Sequence, residues 1–74
     1  MLDVLEAQQA RRLHHATTRA GLSVSQLWWH YFSLGGETGA LEVEAYLHQA
    51  LHLSGVDRLM LEHACSELTR DWPG

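Results

Sequence analysis

The stretch Leu22-Ser23-Val24-Ser25-Gln26-Leu27-Trp28-Trp29-His30-Tyr31-Phe32-Ser33-Leu34-Gly35-Gly36 carries the signals for both ends of a helix. Ser23 and Gln26 have the spacing of a capping box, in which each side chain accepts from the other residue's backbone N–H. Leu22 is placed to staple against Leu27, and Gly35-Gly36 offers the left-handed backbone that stops a helix. Residues advance by about 100° each, so Val24, Leu27, Trp28, Tyr31 and Leu34 share one apolar face with Phe32 at its edge. This predicts a helix over 24–34. Trp29 falls off that face, beside Ser25 and toward Ser33, and is either covered by the first helix or left partly exposed.

Upstream, residues 3–20 place Leu2, Leu5, Gln9, Leu13, Ala16 and Ala20 in one narrow stripe, with Gln8, Arg11, His15 and Arg19 opposite and Gly21 as the stop. Downstream, a third helix is expected over 39–52. Glu37, Glu42 and Glu44 lie near its positive end, and Ala40, Val43, Tyr46, Leu47, Ala50 and Leu51 form its stripe. Ser54-Gly55-Val56-Asp57 reads as an N-cap with an acidic residue at the third helical position, opening a fourth helix over 55–71. Its stripe is Met60, Leu61, Ala64, Leu68 and Trp72, with Cys65 beside it. The expected fold is an all-α bundle of three to four short helices, one domain over 1–74, with mostly antiparallel neighbours because the connections are short. The narrow stripe of helix one gives the weakest attachment, which leaves it either on its own core or exchanged with a second chain.

Composition narrows the function classes. At 74 residues and 46% hydrophobic the chain can fold, yet it is too short to enclose a large pocket. Cys65 is the only cysteine, so neither an internal disulfide nor a cysteine zinc cage is possible within the chain. Small domains without such staples rely on close helix packing or on association. Five Arg, no Lys and nine Asp/Glu give a net charge of −4, which disfavours direct nucleic-acid binding. Helices three and four are spaced like a helix-turn-helix, but the second carries Asp57, Glu62, Glu67 and Asp71 against Arg58 and Arg70. No apolar run approaches about 18 residues and no cationic leader precedes an apolar stretch, so a cytoplasmic protein with no membrane contact is expected. The Lys-free, Ala-, Leu- and Arg-containing composition resembles that of a high-GC bacterium.

Catalytic and cofactor signals are sparse. On a continuous third helix, Glu44, His48 and His52 fall at i, i+4 and i+8, and a His pair at i, i+4 can chelate a divalent metal. The residues between His48 and His52 are Gln49, Ala50 and Leu51, so the glutamate base of a metalloprotease motif is missing. His14 and His15 diverge around helix one, and His30 and His63 border apolar stripes. Cys65 reads as a buried structural thiol, Ser23, Ser25 and Ser54 as capping residues, and no phosphate-loop glycine pattern occurs. No cofactor is expected. Protonating six histidines would move the net charge from −4 to +2, so stability or association is expected to depend on pH.

What stands out is large apolar side chains in excess of a small core: three Trp, two Tyr and one Phe. Trp29 and Trp72 are the residues most apt to be left over as interface anchors. Leu41 and Leu59 lie off their stripes, Leu59 next to Val56, and Leu13 would join an interface if helix one exchanged. The expectation is a non-enzymatic module, regulatory and bacterial, that binds a partner protein or forms a homodimer. The alternatives are a histidine-based metal-binding or pH-responsive protein, and an acidic partner, of anti-sigma or antitoxin type, for a nucleic-acid-binding protein.

Overall fold

The computed structural model describes residues 3–70, in which four helices follow one another: α1 Val4–Arg19, α2 Val24–Ser33, α3 Ala40–Leu47 and α4 Gly55–Arg70. The all-α bundle expected from the sequence is the observed architecture. Leu2 and Trp72, assigned above to the stripes of the first and last helices, lie outside the described residues.

The starts of α1, α2 and α4 have a local cause, and α3 begins at Gly39 with no side-chain cap. Asp3 Oδ1 accepts from Glu6 N–H at 2.8 Å, and both arms of the Ser23/Gln26 capping box form, at 2.7 and 3.1 Å. Ser54 Oγ accepts from Asp57 N–H at the head of α4. The ends of α1, α2 and α3 share one device, a paired set of bonds running back over the last turn. Leu22 N–H reaches Thr17 O and Gly21 N–H reaches Thr18 O; Gly36 and Gly35 repeat this onto Tyr31 and Phe32, and Ala50 and Gln49 onto Ala45 and Tyr46. The left-handed residue is Gly21 (φ 74°) in the first, Gly35 (φ 102°) in the second and Gln49 (φ 63°) in the third.

The third helix is therefore shorter than expected, ending at Leu47 instead of about residue 52. Nothing in His48-Gln49-Ala50-Leu51-His52 forbids a helix, so the stop comes from tertiary structure. Leu53 is buried in the core, and Leu53 N–H donates to Glu6 Oε2 at 3.2 Å, which ties the turn after α3 to α1. Ala50 and Leu51, expected on the apolar stripe, are exposed.

α1 is also rotated from its expected orientation. Its buried residues are Glu6, Ala10, Leu13 and Thr17, each but Leu13 one position beyond the expected Leu5, Gln9 and Ala16, while Leu5 is 75% exposed. Two polar side chains occupy the inner face because both are satisfied there: Thr17 Oγ1 donates to Leu13 O at 2.8 Å, and Glu6 is ligated by the loop before α4. Leu13, assigned above to a possible interface, is 5% exposed and belongs to the core. α1 packs on its own chain, against α3 and α4, and α2 packs against the same two helices. Arg58 Nη1 donates to Gln9 Oε1 near the start of both α1 and α4, and Thr17 Oγ1 lies 3.8 Å from Cys65 Sγ further along each. That pair of helices is parallel, and it is a pair that no short connection joins.

Candidate protein-interaction site

α2 buries Leu27 and Tyr31 and turns an aromatic ridge outward. The Trp28 ring stacks on Phe32 with centroids 5.2 Å apart, Trp29 meets the Trp28 ring edge-on at 4.8 Å, and Trp29 meets Phe32 at 6.1 Å. Such pairs each add about 0.5–1.5 kcal/mol beyond area burial, so the rings brace one another. Trp28 packs partly on the core and its Nε1–H donates to Thr38 O at 2.8 Å. That anchor fixes the inner ring, while Trp29 stays 62% and Phe32 49% exposed.

Beneath the ridge a polar network ties α2 to the head of α4. The buried Tyr31 hydroxyl donates to Asp57 Oδ1 at 2.7 Å and accepts from Thr38 N–H at 3.1 Å. Thr38 and Ser54 hydroxyls each donate to Asp57 Oδ2 at 3.0 Å. The Tyr31 hydrogen bond above all, against the opposing effect of burial and with help from Ser54 and Thr38, holds the Asp57 carboxyl below its ordinary range. The segment between α2 and α3 is thereby held rigidly against α2.

Trp29 is exposed, as one of the two alternatives from its wheel position required. Leu41 and Leu59 are exposed too, Leu59 one turn from an exposed Val56. Phe32 is the member of the ridge that its edge position on the wheel did not single out. The available signal was its i, i+4 spacing from Trp28.

The histidines are distributed among different partners. His52 Nδ1 lies 2.8 and 2.9 Å from the two Glu6 oxygens, and since a carboxylate only accepts, Nδ1 carries the proton. Arg58 Nη1 is 3.7 Å from Glu6 Oε1, so this 3%-exposed carboxylate faces a guanidinium, an imidazole and a backbone N–H. His48 instead meets the His14 ring, centroids 4.9 Å apart. The expected Glu44, His48 and His52 row thus does not form, because α3 ends before it. Among the described residues no three His, Cys, Asp or Glu side chains are arranged to hold a metal ion. His30 Nε2 and His63 Nε2 lie 2.7 and 3.2 Å from the two oxygens of Glu67. The His30 bond above all, against the opposing effect of burial and with lesser help from the charge of His63, holds the Glu67 carboxyl below its ordinary range. Cys65 is buried against Thr17.

Depressions on the surface are shallow. One, of about 890 Å³, is lined among the described residues by Gln8, Arg11, Arg12, His14, His15 and Thr18, all from α1. No helix among the described residues is long and apolar enough to cross a membrane. No protein-family model matches the chain, and no curated protein or solved structure matches it either.

Proposed function

We propose that this chain is a small, non-enzymatic interaction module whose contact surface is the aromatic ridge of α2. The observation that carries this reading is the exposure of Trp29 and Phe32, two large rings kept in place from below by Trp28 and its bond to Thr38. Rings of this kind, preorganised and half-desolvated, are the residues that dominate binding energy in protein interfaces. The occupant is an apolar segment of another protein or of a second copy. Small size and acidity favour a regulatory role, and the Lys-free composition favours a bacterial source.

The test is the double variant Trp29→Ala/Phe32→Ala. Its fold should be retained, because neither ring belongs to the buried core. Light scattering over a concentration series reads self-association, and affinity capture with the variant as control reads partner binding. At least one association of the wild type should be lost in the variant. A variant that keeps every association of the wild type would overturn the assignment.

A further inference from the structure

Charge is distributed unevenly over the molecule. Val4–Arg19 holds three of the five arginines, Arg11, Arg12 and Arg19, and its only carboxylate, Glu6, is turned inward. Residues 37–70 hold Glu37, Glu42, Glu44, Asp57, Glu62 and Glu67 against Arg58 and Arg70. The whole-chain charge of −4 conceals a cationic helix. Arg11, His15 and Arg19 succeed one another at i, i+4 and i+8 and are all exposed, so they form one row along the outer face of α1. Neither Arg11 nor Arg19 makes an ion pair or a side-chain hydrogen bond among the described residues; Arg58 is the arginine engaged by a carboxylate. Arg12 diverges from the row and lines a depression with Glu62 of α4.

We infer that this row is a second docking face, and that its occupant is an acidic helical segment of a partner protein with carboxylates at i, i+4 and i+8. The row rises about 12 Å between its first and last residue, so a partner helix with that spacing sets a carboxylate opposite each guanidinium and a third opposite the imidazole between them. Guanidinium groups bind carboxylates in a bidentate fork and are weakly hydrated, so exposed, unengaged arginines suit this recognition. A long phosphate backbone fits the surface less well. α1 is about 24 Å long, and a strand running past it would meet the exposed carboxylates of α3 and α4. A short acidic helix stays within the cationic face.

The inference rests on the interaction-module reading, but the surface is separate from the aromatic ridge in composition, since the row is made of α1 residues alone and the ridge of α2 residues alone. The probe is a fluorescein-labelled, alanine-rich peptide with Glu at i, i+4 and i+8, followed by anisotropy in 50 mM NaCl. Binding should weaken at least tenfold for Arg11→Gln/Arg19→Gln and on raising salt to 300 mM. A composition-matched peptide with scrambled Glu positions should bind several-fold more weakly. Trp29→Ala/Phe32→Ala should bind the peptide as the wild type does, so failure of the ridge assignment and failure of this one are read separately. Absence of binding at low salt, equal binding of the scrambled peptide, indifference to the arginine substitutions, or tighter binding of a single-stranded oligonucleotide would each overturn the proposal. The substituted side chains are exposed, and an unchanged far-ultraviolet circular dichroism spectrum separates lost binding from lost fold.

Discussion

At Gln49 a residue with a Cβ occupies the left-handed region (φ 63°), where L-residues lie roughly 1–2 kcal/mol above their preferred conformation. Gln49→Gly should relieve most of this strain, offset in part by the greater freedom glycine gains when unfolded. The expected net gain is about 0.5–1 kcal/mol, visible as a rise of several degrees in a thermal melt of so small a domain. Gly36 behaves oppositely. It is buried, and a Cβ there would overlap the Tyr31 ring, so Gly36→Ala should destabilise by about 2–3 kcal/mol in urea titration. Tyr31→Phe would strip Asp57 of its main hydrogen bond and leave Thr38 N–H without its acceptor, a loss of about 1–3 kcal/mol. The pH dependence follows from the same contacts. Asp57 and Glu67 titrate below their unfolded values, so the stability they contribute is present above about pH 4.5 and is lost as the pH falls through their folded values. Urea midpoints should therefore be flat with respect to these two groups at neutral pH and fall on acidification below about 4.5. Asp57→Asn should flatten part of that fall; an unchanged acid limb would contradict the role given to Asp57.

The four helices differ in how far their own residues specify them. α2 was legible from end to end because every signal that delimits it, the capping box and the paired glycines, lies within the segment. α3 was legible only at its start, since its end depends on Leu53 and Glu6, a contact spanning 47 residues of sequence. The face of α1 was misread for the same reason. Hydropathy counts Glu6 and Thr17 as outward residues, and only the His52 imidazole, the Leu53 N–H and the Arg58 guanidinium make an inward carboxylate tolerable. Glu6→Ala should consequently cost far more than an exposed helix substitution, about 2–4 kcal/mol in urea titration, because it leaves the buried Leu53 N–H without its acceptor and the partly buried Arg58 without its counter-charge. Leu5→Ala, one residue away on the exposed face, should change stability by less than about 0.5 kcal/mol. If the two substitutions cost the same, the rotation of α1 described above is wrong. For the candidate site the division is similar. Trp29 could be found from its position off the stripe, whereas Phe32 gains its place from the ring of Trp28 and not from its own position.

Across the whole molecule, α1 and α2 each pack against both α3 and α4, and one fold carries a cationic row on α1 and an aromatic ridge on α2. Whole-chain arithmetic hinted at the aromatic surplus but hid the cationic row, because the net charge averages over surfaces that a partner meets one at a time. The way α1 is secured bears also on how the chain reaches this structure. Its bonds to Leu53, Arg58 and Cys65 bridge 47 to 49 residues, whereas α2, α3 and α4 are neighbours in sequence. Closing the longer loops costs more chain entropy before any contact is gained, so the transition state for folding should be built from α2, α3 and α4, with α1 docking last. Substitutions at Ala10 or Thr17 should then accelerate unfolding with little change in the refolding rate, while those at Leu27 or Leu61 should slow refolding. In the native state, amides of α1 should exchange with solvent through openings that leave the other three helices closed.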